Sequence, residues 1–506
     1  MLAAVLSATI VGLEALPVSV EVDVGPGLPS FAIVGLPDAA VCEARERVRS
    51  AIRNSGYDMP PRRTVVNLAP GDRRKQGPAL DLPIALAVLI ATGQLPQHAV
   101  DGYLAIGELA LDGALRPTPG ALSVAQTADA LKVRGLLVPE ANGAEAAVLD
   151  EVAVHAVPSL RATVEHLTGW RPVGRATGAV LADAEDQAPS IDLAEVRGQR
   201  AARRALEIAA AGQLNLLLIG PPGTGKTMLA RRLPTILPAL SRAEAIEVTK
   251  IYSVARQLPA RAGLIARRPF RAPHHTASAA AIVGGGSGPR PGEITLAHRG
   301  VLFLDELPEF RADVLEVLRQ PMEDGAVVIA RAHGAVRFPG RFALVAAMNP
   351  CPCGHRGDPR RECSCTPAQV QRYIGRLSGP LVDRIDLHVE VPRAAVGDLL
   401  LGPPGEASQA VRARVTAARE RVAQRLLCDP PKATRYEGRW GPIDPPGLVF
   451  ARTAAERLGL GARATDRVLR VARTIADLDG ADLVAVPHLA EALQYRVLDR
   501  RGGQSA

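Results

Sequence analysis

No stretch of this 506-residue chain is apolar for long enough to cross a bilayer, which takes about 20 consecutive residues. The opening 1–10 is apolar, yet it lacks a basic leading segment and a small-residue cleavage site, so it reads as a strand and not as an export signal. No membrane contact and a cytoplasmic location are the expectations. Internal repeats and extended low-complexity tracts are also missing. Cysteine is scarce, with six residues, and a cytosolic setting makes disulfides unexpected. Lysine is scarcer still, with five residues, so a lysine set in a glycine-rich turn is unexpected by chance.

Arginine, alanine, glycine and proline are what the chain has in quantity. A formal charge of +8 favours polyanionic partners such as nucleic acid. The basic surplus is spread along the whole length, and a GC-rich coding sequence supplies part of it. The length calls for about three or four domains with sizeable cores. Residues 174–190 mix Gly, Ala, acids and Pro without hydrophobic periodicity and read as a linker. A second break falls at 392–407, where a strand-like 386–391 gives way to a Gly/Pro loop. The expected domains are 1–173, 191–392 and 393–506, the last mostly helical from amphipathic patterns at 408–427 and 464–478.

The sharpest feature is Gly220-Pro221-Pro222-Gly223-Thr224-Gly225-Lys226-Thr227, between an apolar strand-like 214–219 and a helical 228–233. Strand, glycine loop and helix are the setting of a phosphate-binding loop: glycines let backbone N–H groups turn toward phosphate oxygens, and the helix N-terminus adds partial positive charge. Lys226 is placed for the β- and γ-phosphates and the Thr227 hydroxyl for Mg²⁺, so nucleoside triphosphate is the expected ligand.

About 80 residues on, the apolar run 300–304 ends in Asp305-Glu306. At the carboxyl edge of a parallel sheet, Asp305 can reach Mg²⁺ through water and Glu306 can activate the attacking water. A further apolar strand, 342–347, ends near Asn349, whose amide can position that water. Arg384, in Ser378-Gly-Pro-Leu-Val-Asp-Arg384-Ile-Asp386, is placed at the start of another strand and reads either as an arginine finger for a neighbouring subunit or as a surface ion pair.

Four of the six cysteines, Cys351, Cys353, Cys363 and Cys365, form a CxC–x9–CxC cluster directly after Asn349. Four thiolates from one short loop suit tetrahedral Zn²⁺ in a structural role, with His355 as a substitute ligand, although the Cys–x–Cys spacing is tighter than the usual knuckle. Cys42 and Cys428 stand alone and read as ordinary core or surface residues.

The runs Arg268-Pro-Phe-Arg-Ala-Pro-His274-His275-Thr-Ala-Ser, Gly284-Gly-Gly-Ser and Pro291-Gly-Glu-Ile-Thr-Leu-Ala-His298, continuing through Asp305-Glu306 to Phe310, resemble the magnesium-chelatase-like AAA+ ATPases, and within them the YifB/ComM family. The resemblance extends from Val34-Gly-Leu-Pro-Asp38 to His488-Leu-Ala-Glu-Ala-Leu-Gln-Tyr-Arg496. It implies an α/β chain with a Lon-protease-like (ribosomal-S5-domain-2-like) α+β domain in 1–173, an AAA+ core in 191–392 and a helical lid in 393–506. It also implies a homo-hexameric, ATP- and Mg²⁺-dependent motor on single-stranded or branched DNA, a helicase promoting branch migration in homologous recombination or natural transformation beside other recombination proteins. On matching positions, 220–227 is the Walker A motif, Asp305 and Glu306 Walker B, Asn349 sensor 1, Arg384 the arginine finger and Arg463 the sensor 2 arginine, with Arg467 one turn on as second choice. A metal-insertion subunit, or a protein remodeller using the N-terminal domain as adaptor, remains the alternative.

Two insertions read as DNA-handling parts. Residues 270–295 are expected to interrupt the helix after Walker A with a Gly-rich flexible loop. Residues 327–339 read as a hairpin turning at Gly334; related ring motors project such a hairpin into the pore, where Arg331, His333 and Arg337 would grip phosphates. In the N-terminal domain, Ala79 occupies the position where a Lon-like enzyme carries its nucleophile, so no Ser–Lys dyad is expected. The basic loop Arg62-Arg63 with Arg73-Arg74-Lys75 is either a DNA contact or a solvated loop.

Overall fold

Alternation of apolar and polar residues in Leu2–Val11 and Glu14–Gly25 pairs these strands antiparallel around a tight turn at Gly12-Leu13, where Gly12 has φ +65°. The computed structural model describes residues 2–178, 191–258, 263–286, 289–331, 334–395, 397, 401–428 and 441–496. The first hairpin lies at the middle of a seven-stranded mixed sheet ordered Ser30–Val34, Arg63–Ala69, Glu14–Gly25, Leu2–Val11, Tyr103–Ala105, Gly135–Pro139, Val154–Val157. Helix Asp81–Ala91 is buried on every side, which is why its sequence carries no polar stripe. Its one charge, Asp81, is met by Arg47 at 2.7 Å. Ala79 sits in the 3₁₀ turn Pro78–Leu80, packed against the core.

Residues 174–178 continue this domain. Arg175 bridges to His155, and the Ala176 N–H donates to the Val154 carbonyl at 2.8 Å, so the edge strand holds the segment expected to be linker. Residues 179–190 lie outside the described residues. Lys75 is also not where a DNA contact needs it: it is fully buried with Nζ on the Pro70 carbonyl, while Arg73 and Arg74 are exposed.

The second sheet has five parallel strands ordered Phe270–Arg271, Val301–Leu304, Ala343–Met348, Leu216–Ile219, Leu387–Glu390. The three central strands are apolar throughout and wholly buried, as covering both faces of a parallel sheet requires. Phe270–Arg271 is thus an edge strand of this sheet, and the segment after it does not interrupt a helix. Helix Arg242–Val254 is complete before it, and Ala279–Val283, a small Gly284–Gly285/Arg290–Pro291 ladder and Glu293–Leu296 follow. The Arg271–Glu293 ion pair, at 2.7 Å, closes the excursion.

Helices Ser408–Cys428, Pro445–Leu458, Ala462–Asp479 and Val486–Gln494 form the C-terminal part. They have no separate core: Val411, Val415, Val468, Ile475 and Leu489 pack in one cluster with Leu216, Leu229, Val301 and Val345 of the central module. The N-terminal domain docks on the same module through its first turn. Leu13 belongs to the cluster of Ile251, Ile294 and Phe338, and a Cβ on Gly12 would come within 2.6 Å of Val336. Around it, the Gly120 N–H donates to Ser253 Oγ at 2.7 Å, Lys250 meets Glu14 at 3.3 Å, and Arg242 meets Asp150 at 3.2 Å.

Candidate nucleotide site

The loop 220–225 leaves the carboxyl end of the Leu216–Ile219 strand under tight constraint. The Gly220 N–H donates to the Met348 carbonyl at 3.2 Å, and a Cβ there would strike the Val391 carbonyl at 2.2 Å. Gly223 and Gly225 take φ of +76° and +87°, open to glycine at no steric cost. Nothing lies within 4 Å of a Cβ position at Gly223, so the mouth of the loop is open. Helix Lys226–Ile236 starts behind Gly225 without a side-chain cap, leaving its first N–H groups facing the loop. Thr224 Oγ1 braces the loop by donating to the Pro221 carbonyl at 3.0 Å.

Lys226 Nζ donates to the carbonyls of Gly220 (2.6 Å) and Pro221 (3.0 Å) and to Asn349 Oδ1 (3.2 Å). Burial pushes the Lys226 pKa down, against the pull of Asp305 and Glu306. Thr227 Oγ1 donates to Asp305 Oδ2 at 2.8 Å, so the hydroxyl and carboxylate suited to a divalent cation already adjoin. The strand order explains the meeting: Ala343–Met348 lies between the phosphate-loop strand and the Val301–Leu304 strand, so Asn349 falls between Lys226 and the acid pair. Glu306 stands in the left-handed region at φ +53°, with its N–H on Asp305 Oδ1 at 3.0 Å.

One neighbour of Glu306 escaped the sequence reading. His275 Nδ1 lies 3.4 Å from Glu306 Oε2. The parallel register that sets Phe270 beside Val301 and Arg271 beside Leu302 brings His275 level with Glu306 when continued four residues. A loop in 270–295 has no register, so the pairing follows only from the edge strand Phe270–Arg271.

Arg384 precedes the edge strand, following the short helix Gly379–Val382, and Asn215 Nδ2 donates to its carbonyl at 3.0 Å. Its guanidinium meets Glu323 at 2.7 Å and donates to the Pro380 carbonyl at 2.7 Å. Arg384 and Arg463 line one cavity of about 260 Å³ with Glu323, Asp383, Asp466 and Arg467, and no phosphate-loop residue lines it. Arg467 is held by Asp386 at 2.6 Å, whereas Arg463 is exposed and has no ion pair among the described residues.

The four cysteine sulfurs all lie within 4.8 Å of one another. Cys351 Sγ is 3.4 Å from Cys353 Sγ and 3.6 Å from Cys363 Sγ, and Cys353 Sγ is 3.6 Å from Cys363 Sγ. A tetrahedron with Zn–S bonds of about 2.3 Å has edges of about 3.8 Å, so the residues fit the ion. The N–H groups of Cys353 and Arg356 point at the sulfurs of Cys365 and Cys351, both at 3.4 Å, which suits thiolate charge. His355 instead pairs with Asp358 at 3.5 Å and is not in the cluster. The loop is adjacent to the phosphate loop: Gly354, at φ +83°, approaches Pro222 so closely that a Cβ would lie 2.8 Å from Pro222 Cδ.

The expected hairpin is Ala326–Arg331 with Gly334–Pro339; Gly334, expected at the turn, is instead the first residue of the second strand and pairs with Arg331. Arg337 is exposed on it. His333 and the Arg331 side chain lie outside the described residues.

A parallel sheet in this order, with a phosphate loop, a Thr–Asp pair and an adjoining acid, defines a P-loop nucleotide-binding module of the AAA+ type. Family models match along the chain: "Magnesium chelatase, subunit ChlI" over 192–399, "Subunit ChlI of Mg-chelatase" over 20–142 and "Magnesium chelatase, subunit ChlI C-terminal" over 405–496. The YifB protein of Escherichia coli K12 is 46% identical over 97% of this chain and 96% of its own length. Competence protein ComM of Haemophilus influenzae is 44% identical over 99% and 98%. The magnesium-chelatase 38 kDa subunit of Rhodobacter capsulatus is 26% identical over 61% of this chain and 88% of its own length. The chain belongs to the YifB/ComM family of magnesium-chelatase-like proteins. No helix among the described residues is long and apolar enough to cross a membrane.

Proposed function

We propose that this chain is an ATP-driven DNA motor working as a homo-hexameric ring, a helicase that promotes branch migration in homologous recombination or natural transformation. The observation that carries the reading is the division of the ATP site. Lys226, Thr227, Asp305, Glu306 and Asn349 converge at one sheet edge, while Arg384 and Arg463 share a cavity without phosphate-loop residues. Each chain then offers half of two sites, which head-to-tail closure into a ring completes. Similarity to a competence protein, the exposed Arg337 on its hairpin and the net charge of +8 support DNA as the load.

In this reading Lys226 and the helix N-terminus hold the β- and γ-phosphates. Thr227 and Asp305 would hold Mg²⁺, which neutralises charge on the phosphate oxygens. Glu306 takes the proton of the attacking water, Asn349 orients that water, and Arg384 with Arg463 of the next subunit stabilise the transferring phosphoryl group. The four cysteines would hold structural Zn²⁺ beside the loop, where four thiolates suit its tetrahedral coordination.

ATP turnover with and without single-stranded or branched DNA, together with strand displacement and branch migration, tests this on wild type and Lys226→Ala. Turnover indifferent to DNA, with no strand moved, would overturn it. A metal-insertion or protein-remodelling role draws support from the magnesium-chelatase subunit's similarity, and predicts stimulation by a protein partner instead.

A further inference from the structure

We propose that Asp386 is a positioning residue that sets Arg384 and Arg463 side by side for the neighbouring subunit. The proposal deepens the ring reading and rests on it for where those arginines act. Asp386 is fully buried, two residues after Arg384 and directly before the edge strand Leu387–Glu390. Its Oδ1 accepts from Arg467 at 2.6 Å and faces Arg470 at 3.5 Å, and its Oδ2 accepts the Asn215 N–H at 2.8 Å. One carboxylate therefore joins the helix that carries Arg463 to the segment that carries Arg384.

On that helix, Ala462–Asp479, residues 463, 467 and 470 fall on one face, four and then three positions apart. Arg467 and Arg470 face Asp386. Arg463, one turn nearer the N-terminus, is exposed at the cavity it shares with Arg384. The helix packs on the central module through Val468, Val471 and Ile475. Apolar burial is non-directional, so it holds a helix down without fixing its rotation or register. The buried carboxylate fixes both. A slip of one turn, about 5.4 Å, would strand it away from its arginines, which a buried charge tolerates poorly.

The other end of the link is fixed as firmly. Asn215 stands at the foot of Leu216–Ile219, the strand that leads into the phosphate loop. Its carbonyl accepts the N–H groups of Asp386 and Leu387, both at 3.0 Å. Its Nδ2 donates to the Arg384 carbonyl at 3.0 Å, and its Oδ1 accepts the Leu344 N–H at 3.0 Å. Arg384 and Asp386 are pinned in this way to two central strands of the sheet. Arg467 then serves as the tether of Arg463 and not as a second reaching arginine.

The test uses the full-length protein and compares wild type, Asp386→Asn, Arg467→Met and the double variant. Asn keeps an acceptor for the Asn215 N–H and Met keeps most of the arginine stem, so each removes charge with little change of shape. DNA-free kcat for ATP is expected to fall about 10- to 100-fold in Asp386→Asn, the cost of misplacing reactive groups by about 1 Å. Binding of a fluorescent ATP analogue is expected to stay within about twofold, because the chain's own phosphate loop is untouched. The double variant is expected to fall no lower than Asp386→Asn, since both changes withdraw the same restraint. Mixed with Lys226→Ala before assembly, Asp386→Asn should regain turnover, because its fault lies in what it offers a neighbour. A merely structural ion pair would damage the chain's own site and give no recovery on mixing. Unchanged kcat in both single variants, losses that multiply in the double variant, or recovery by Arg384→Ala but not by Asp386→Asn would overturn the proposal. If Arg384→Ala also fails to recover, the ring reading fails, while the double variant still decides whether Asp386 acts through Arg467. Should Asp386→Asn not fold, Arg467→Met alone carries the kcat, binding and mixing measurements, with the same outcomes decisive.

Discussion

Lys226 and Asn349 are bonded to each other across adjacent strands, Nζ donating to Oδ1 over 3.2 Å. The amide that is to orient the attacking water thereby also steadies the lysine that is to bind phosphate. The two functions separate by substitution. In the proposed mechanism, Lys226→Ala removes the group that binds phosphate, and Asn349→Ala removes a group whose service is given in the transition state.

Asn349→Ala is expected to lower kcat about 10²-fold while a fluorescent ATP analogue binds within a few-fold of wild type, as loss of one preorganised polar group does. Lys226→Ala is expected to lose binding itself. Equal losses of affinity and kcat in Asn349→Ala would instead make the amide a structural brace for the loop.

Arg384→Ala is expected to keep ATP binding and lose about 10³-fold in kcat, within the range for an arginine finger. Mixed with Lys226→Ala before assembly, it should regain turnover. In an equal random mixture about one interface in four joins an intact phosphate loop to an intact arginine. Absence of any recovery would place Arg384 in the site of its own chain.

Most of the site was legible because each element carries its chemistry at its end. The central strands lie within one or two residues of where runs of apolar residues put them, and the two carboxylates, the amide and the phosphate loop sit at their ends. What stayed hidden depends on register between distant segments. His275 reaches Glu306 only because Phe270 pairs with Val301. Lys75 looked like part of a basic loop, and packing buried it. The first five residues of the expected linker joined a strand edge through one backbone hydrogen bond and one bridge, which composition does not report.

Metal analysis of the purified protein is expected to give about one zinc per chain, bound by the four thiolates. Stripping it with a strong chelator, or replacing Cys353 and Cys363 by Ser, should lower Tm and raise KM for ATP. The KM effect follows from the contact of Gly354 with Pro222, which ties the cysteine loop to the phosphate loop. A zinc-free protein with unchanged KM and Tm would remove the metal from the account.

His388 is fully buried on the edge strand, and burial pushes its pKa down from 6.5 to about 3. A histidine shifted this way leaves stability intact above pH 6.5 and erodes it as pH falls toward 3, because the unfolded chain takes the proton first. At pH 5 the erosion should be about 2 kcal/mol, the free energy of about 1.5 pKa units. His388→Phe should flatten that part of the stability profile in denaturant titrations at pH 7.5 and pH 5. An unchanged difference between the two pH values would move the acid sensitivity to another group.

Leu13, at the tip of the first hairpin, is seated among Ile251, Ile294 and Phe338, and Gly12 rests on Val336 of the second hairpin. A domain anchored by an apolar plug is not a tethered accessory that can tumble beside the nucleotide-binding module. Any tilt of the Val336 hairpin has to be shared by the seven-stranded sheet, so in the proposed ring the N-terminal domains would move in step with turnover. Cutting the chain at the linker would leave that socket wet, and the truncated protein would be sticky before it was slow.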